Sequence, residues 1–560
     1  MPRTHLARCS TRIAPVTAGV ASAASALARS VSARSLSALA LWVGAVGLTS
    51  CGPDPDSLRA VADGKSVVTG EGVLLIVVDG LRWDHTSLSG YDRNTTPFLL
   101  RFAQKSIVFE NAWSPTSSQL GAHVAILSGC DPSIAQAPPA FGASSGALES
   151  AATSDSTAWF LPDELTLISQ PFLGAGWHTA AFVDDPMIAE LRGFDRGFRE
   201  FIEFGGEPGN TEREIGVFGV GRRFVKWLND QSISDNWFAY VHMNDLERVW
   251  VEGEDTLAFP DIEPRTKHWT PRPELDRVPP LGYSEPLLHT LPPSRAGTGE
   301  PLSLAQYELR YDRGIRAIDL SLERLLGYAG EYKRDELMTV VIVGSFGTGL
   351  GENGMYLRAG LATDEDLHVP LIIKPSKRLA ESLGLTSPDG STGSGVGFGR
   401  TASMASSIDL MPTLVELLGL RGPGGLHGVS QVPVLKDRRK EVRSRVFATS
   451  TVIPGDAIID RKGLFARYSS GAGPGIGLSL GPGAVEGGPN TGYWEYWVPR
   501  GRDLDAKPGV AGKRAVLDRW KTLVLAERTA IHFGGGSADT TNAEKIVGLQ
   551  VPPGGPRKDH

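Results

Sequence analysis

The stretch VIVGSFGTGLGENG, residues 341–354, follows an apolar run and has the rhythm of a place where a protein holds a metal ion. Such a site needs carboxylate and imidazole, because those groups carry the charge and lone pairs a divalent ion requires. The sequence offers Ser345, Phe346 and Asn353 instead. Three aspartates, Asp79, Asp184 and Asp245, also close apolar runs: VLLIVVDG, HTAAFVDD and NWFAYVHMND. A carboxylate so placed can move a proton or hold a cation. His123, His242 and the adjacent hydroxyls of Ser117 and Ser118 add possible bases and nucleophiles. The string from Gly349 to Gly354 formally matches G-x-G-x-x-G, but a dinucleotide site also wants an acidic residue at the end of the next strand. That strand, VPLIIKP, ends in Lys374, so the match is accidental and an oxidoreductase is set aside.

The elements that would position these groups can be read from hydrophobic pattern. Residues 73–80 form a continuous apolar run ending in turn residues, as expected of a strand buried on both faces. IVFENA, HTAAFVDD, NWFAYVHMND, LMTVVIVGSF and HVPLIIKP read as further strands. Helical patterns lie between them in NTTPFLLRFAQKS, VGRRFVKWLND, YELRYDRGIRAIDLSLERLLGYAG and IDLMPTLVELLGL. Strands alternating with helices predict an α/β fold, a mostly parallel sheet covered by helices on both faces. In such sheets functional groups gather at the carboxyl ends of strands. That singles out Asp79, Asp184, Asp245 and Ser345.

The chain's ends suggest export. Residues 1–50 contain five arginines and no acid, and they run into SLSALALWVGAVGLTS directly before Cys51. A basic segment, a short apolar segment and small residues describe a secretory signal. The apolar run falls short of the roughly 20 residues a membrane-spanning helix needs. Leu-Thr-Ser-Cys resembles a bacterial lipobox, so lipid on Cys51 is expected, anchoring the protein to the periplasmic or outer-surface side of the cell envelope. Losing Cys9 with the signal and lipidating Cys51 leaves only Cys130, which excludes an internal disulfide. The net charge of −7 becomes −12 once the five signal arginines are removed, which disfavours nucleic acid as a partner. Residues 51–71 read as a tether, 72–435 as the α/β domain, and 248–303 as a proline-rich insertion within it. Residues 436–535 read as a smaller subdomain with a helix near 513–528, and 536–560 as a disordered tail.

Several blocks together resemble the sulfatase family of the alkaline-phosphatase-like superfamily. VVDGLRWDHTSLSGYDRNTTPFLLRFAQKS, the stretch through LSGCDP, GWHTAAFVDDPMIAELRGFDRGF, NWFAYVHMND, YDRGIRAID, HVPLIIKP and IDLMPTLVELLGL follow in the family's order over residues 73–432. The resemblance implies a divalent cation, usually calcium, that helps ionise an oxygen or sulfur nucleophile and polarises the ester. It places Asp79 on the first metal carboxylate, with Gly80 where many members carry a second. Counting back from Gly129 puts Gln119 at the nucleophile position, Gly121 at the motif's proline, and His123 where the family has Arg or His. Ser345 and Phe346 fall on the metal aspartate and histidine, and Asn353 on a trailing histidine. Glu247 replaces a histidine that binds the anion, leaving His242, Asp245 and Glu247 as substrate-side candidates.

An amide has no ionisable oxygen, and phenylalanine has no lone pair to give a metal. The resemblance therefore implies a pseudoenzyme: an exported lipoprotein that binds an anionic glycan, envelope polymer or partner, with no cofactor expected. The alternative is an active sulfuric or phosphoric ester hydrolase using Ser118, with Asp245 and Glu247 helping to rebuild a calcium site. A purely structural protein would have Phe346 and its neighbours filling the cleft. Either binding form leaves Asp79 needing a new donor in place of the cation, with Arg82 or His123 as candidates.

Overall fold

β1, Gly72–Val78, is buried along its whole length because covalently distant strands flank it and helices cover both its faces. The computed structural model describes residues 70–135, 159–204, 217–248, 262, 304–331, 335–350, 362–385, 398–450, 455–461, 463–469, 484–485 and 493–499. The sheet adds β2 (Ile107–Trp113), β3 (His178–Val183), β4 (Glu200–Glu203), β5 (Trp237–Met243), β6 (Met338–Gly344), β7 (Leu371–Lys374) and β8 (Gly399–Ser406). Their order is β4-β3-β5-β1-β6-β7-β2-β8. β1 pairs in parallel with β5 and β6, setting Val77 beside His242 and Val78 beside Gly344. β7 runs against both β6 and β2, so the mostly parallel sheet has one reversed strand.

Alternation along β1 divides the core. Val73, Leu75 and Val77 pack with α2 (Gln119–Ser128) and the helix Leu410–Leu417, while Leu74, Ile76 and Val78 face the helices Val217–Asp230 and Leu304–Glu331. These two layers match the fold expected from the sequence. β4 and β8 escaped the hydrophobic pattern because they form the two edges: EFIE is exposed or half-buried throughout, and GRTASMAS alternates with small and polar residues. Strands at an edge have less to bury, so their sequences carry less signal.

A second sheet, ordered β12-β13-β11-β10-β9, is built from β9 (Arg445–Ser450), β10 (Gly455–Asp460), β11 (Gly463–Ser469), β12 (Ala484–Val485) and β13 (Tyr493–Pro499). Its first strand reaches the main sheet's cleft. Thr449 N donates to Pro115 O at 2.9 Å, and Ser117 N to Thr449 O at 3.2 Å, which pins the segment leading into α2. The signal, the tether with Cys51 as far as residue 69, nearly all of the insertion, the helix near 513–528 and the tail lie outside the described residues, as do Asn353 and Gly354. Among the described residues no helix is long and apolar enough to cross a membrane.

Candidate functional site

Three neighbouring elements end at one point. β1 ends at Val78, and Asp79 N donates to Met243 O of β5 at 3.0 Å, while Ser345 N donates to Val78 O at 3.1 Å. Gly80 then turns the chain with φ +72°, a left-handed conformation that glycine adopts without strain. Its carbonyl accepts from Tyr311 Oη. This turn gives a physical reason for Gly80 at a position where relatives often hold a second aspartate.

The Asp79 carboxylate is wholly buried and surrounded by donors. Oδ1 accepts from His123 Nε2 at 2.9 Å and from the Ser345 hydroxyl; Oδ2 accepts from His242 Nε2 at 2.9 Å and from Gln119 Nε2 at 2.7 Å. His123 thus fills the donor role expected of it or of Arg82. Arg82 turns away, donating to Asp84 and to Thr348 O at 3.1 Å. Gln119 Nε2 also reaches Asp185 Oδ2 at 3.1 Å, and Asn244 Nδ2 donates to that same oxygen. One amide therefore bridges the buried Asp79 and the half-buried Asp185. Behind the cluster, Tyr240 Oη lies 2.6 Å from His123 Nδ1.

The electrostatics follow from this packing. Burial opposes ionisation of Asp79, yet the two imidazoles overcome it and hold the carboxyl well below the usual carboxylate range. Burial raises Asp185, and the charge on Asp79 adds to that rise. Burial lowers His123, with His242 contributing. For His242 burial is outweighed by Asp79 and Asp185, which raise it. Among the described residues the hydrogen bonds to Asp79 and Asp185 come from imidazole, amide, hydroxyl and backbone groups, none from lysine or arginine.

The residues singled out by sequence fall into two groups. Asp79, Gln119, His123, His242 and Ser345 meet. Phe346 is buried and packs on Ala122, three residues along α2 from Gln119 and so on the same helix face. Ser118 does not join them: its Oγ accepts from Gly121 N at 3.2 Å and caps α2. The hydrogen bonds to Asp79 come from other residues, so the hydroxyl named as an alternative nucleophile caps the helix and does not touch that carboxylate. Gly121 supplies an N–H that a proline could not, which accounts for the departure from the family's motif. Asp245 opens the short helix Asp245–Arg248 and makes no hydrogen bond with Asp79; the side chain of Glu247 lies outside the described residues. Asp185 is a second carboxylate hydrogen-bonded into the site, and the charge on Asp184 also bears on His242. His178 starts β3 and so stands at the opposite end of the sheet from the site. His85 and Asp84 serve the loop after β1: Asp84 pairs with Arg82, and His85 Nδ1 meets Asp312 at 2.8 Å.

Asp185, Asn244 and Tyr240 were missed by sequence reasoning. Asp185 lies one residue past the aspartate judged to end its strand, and Asn244 sits between Met243 and Asp245 in a segment already marked. Tyr240 is an interior strand residue whose hydroxyl gives no sequence signal.

Comparison with known proteins adds the following. The family model described as Sulfatase matches residues 72–206 and 219–420. A protein solved in complex with its substrate D-glucosamine-2-N,6-O-disulfate is similar over 82% of this chain and 98% of its own, with 16% identity and a TM-score of 0.59. The phosphonate monoester hydrolase of Agrobacterium radiobacter is similar over 82% of this chain and 96% of its own, with 14% identity and a TM-score of 0.56. A 2-O GAG sulfatase covers 86% of this chain and 94% of its own at 15% identity, with a TM-score of 0.55. At these identities the likeness is one of fold. No curated protein sequence matches.

Proposed function

We propose that this chain, which belongs to the sulfatase family, has lost the family's hydrolytic centre and acts by binding. The family fold supports a relationship to sulfuric and phosphoric ester hydrolases, whose members typically use a divalent metal, often calcium. The observation that carries the reading is the occupancy of Asp79. The nucleophile position holds Gln119, whose amide donates to Asp79, and a metal-ligand position holds Ser345, whose hydroxyl does the same. The Gln119 amide has no ionisable oxygen, and the Ser345 hydroxyl brings no second anionic ligand.

Calcium fits this set poorly. It takes six to eight oxygens, several of them anionic. Around Asp79 two of the four partners are imidazole nitrogens, and Phe346 presents a buried ring. No step of ester hydrolysis is routed through calcium here. Ligand candidates are an anionic glycan or envelope polymer, in keeping with a fold relative bound to a disulfated glucosamine. The protein would act from the envelope, tethered by lipid on Cys51.

A calcium titration of the melting temperature tests the loss of the cation site. The native chain is expected to show no rise at millimolar calcium, and the Ser345→Asp, Phe346→Asn double variant to gain one. A rise in the native chain comparable to that of a calcium-binding sulfatase would refute the reading.

A further inference from the structure

We propose that Asp79, His123 and His242 form a binding site for a divalent transition ion of the zinc type. This inference rests on the reading that calcium and the nucleophile have been lost, and it names what the same cleft holds instead. The ligand atoms of the three residues all lie within 4.8 Å of one another, and all three side chains are fully buried. Each Nε2 is 2.9 Å from an Asp79 oxygen. Zinc bonds to nitrogen and oxygen are about 2.0–2.2 Å, so tetrahedral ligands stand a little over 3 Å apart. The two nitrogen–oxygen separations lie within a few tenths of an ångström of that spacing.

The ligand types choose among ions. Two imidazoles and one carboxylate suit zinc and its neighbours, whereas calcium and magnesium prefer oxygen alone. The surroundings supply an outer partner for one of the two imidazoles, whereas the second nitrogen of His242 has no hydrogen-bond partner among the described residues. The second nitrogen of His123 is fixed by Tyr240 Oη at 2.6 Å, the outer partner that sets a ligating ring's tautomer and orientation. His242 lies on β5 and Asp79 directly after β1, two paired strands, and His123 lies on α2, so no ligand depends on a free loop. Ser345 offers a further neutral oxygen beside Asp79.

A second trio, His85, Glu308 and Asp312, lies equally close but is already neutralised: Arg93 pairs with Asp312, and Tyr91 Oη donates to both carboxylates. It serves as the control. The full chain, stripped with a chelator and titrated with cobalt(II), is expected to develop the visible d–d bands of a four- or five-coordinate site at one equivalent, and zinc is expected to displace the cobalt where calcium does not. His123→Ala and His242→Ala each weaken cobalt binding more than tenfold, while His85→Ala leaves it unchanged. Should an alanine variant misfold, His242→Gln, read by the zinc-dependent change in melting temperature, takes its place. Absence of the bands, their survival in the double histidine variant, or displacement by calcium would overturn the proposal. Ester turnover by the zinc-loaded protein would instead overturn the loss of catalysis and leave the metal assignment standing.

Discussion

At the scale of single residues, Gln119 carries the proposed loss of hydrolysis. Its Nε2 stands 2.7 Å from Asp79 and 3.1 Å from Asp185, a donor shared by a buried and a half-buried carboxylate. Removing a hydrogen bond to a buried charged group costs about 1.5–3 kcal/mol, and here the loss also leaves two anions facing each other. In the metal-free protein Gln119→Met is therefore expected to lower stability by about 2 kcal/mol in urea unfolding. A change below about 0.5 kcal/mol, typical of a surface substitution, would show that the bridge contributes nothing. The sequence made the substitution visible, because a glutamine at a nucleophile position contradicts the chemistry. It did not make Gln119's new partners visible. Asp185 is brought there by where β3 happens to stop, and Asn244 by the turn after β5, which depend on three-dimensional register rather than residue type.

Elements explain which parts of the fold could be read in advance. β1, β5 and β6 are buried on both faces, so each is an uninterrupted apolar run and its carboxyl end is easily located. β4 and β8, at the sheet edges, carry mixed sequences and were invisible, as was the reversal of β7, since four residues say nothing about direction. The amino end of β1 carries its own signature. Glu71 is buried there, and burial raises its carboxyl from 4.5 to about 7, against the opposing influence of Ser376, Arg378, Thr339 and Lys374. Between those two values the folded chain keeps a proton that the unfolded chain has released, so stability falls as pH rises from 4.5 to about 7 and levels beyond. Glu71→Gln is expected to flatten that slope in thermal melts across the interval. A slope equal to that of the native protein would place the titration elsewhere.

The whole molecule joins a family fold to a site whose parts have been reassigned. The second sheet contributes by holding the segment before α2 through Thr449, so that Ser118 caps the helix and Gln119 faces Asp79. Attachment to the envelope is a separate proposal: Cys51→Ala is expected to move the protein from the membrane to the soluble fraction, and continued membrane association would reject lipid as the tether. The central claim is loss of hydrolysis with retention of the fold, since fold alone does not establish a reaction. The most direct test is the turnover of aryl sulfate, aryl phosphate and aryl phosphonate esters by the native chain beside Asp79→Asn, each with added calcium or zinc. Equal rates in the two proteins, at the level of buffer, are the expected result; turnover by the native chain that disappears in Asp79→Asn would contradict the account.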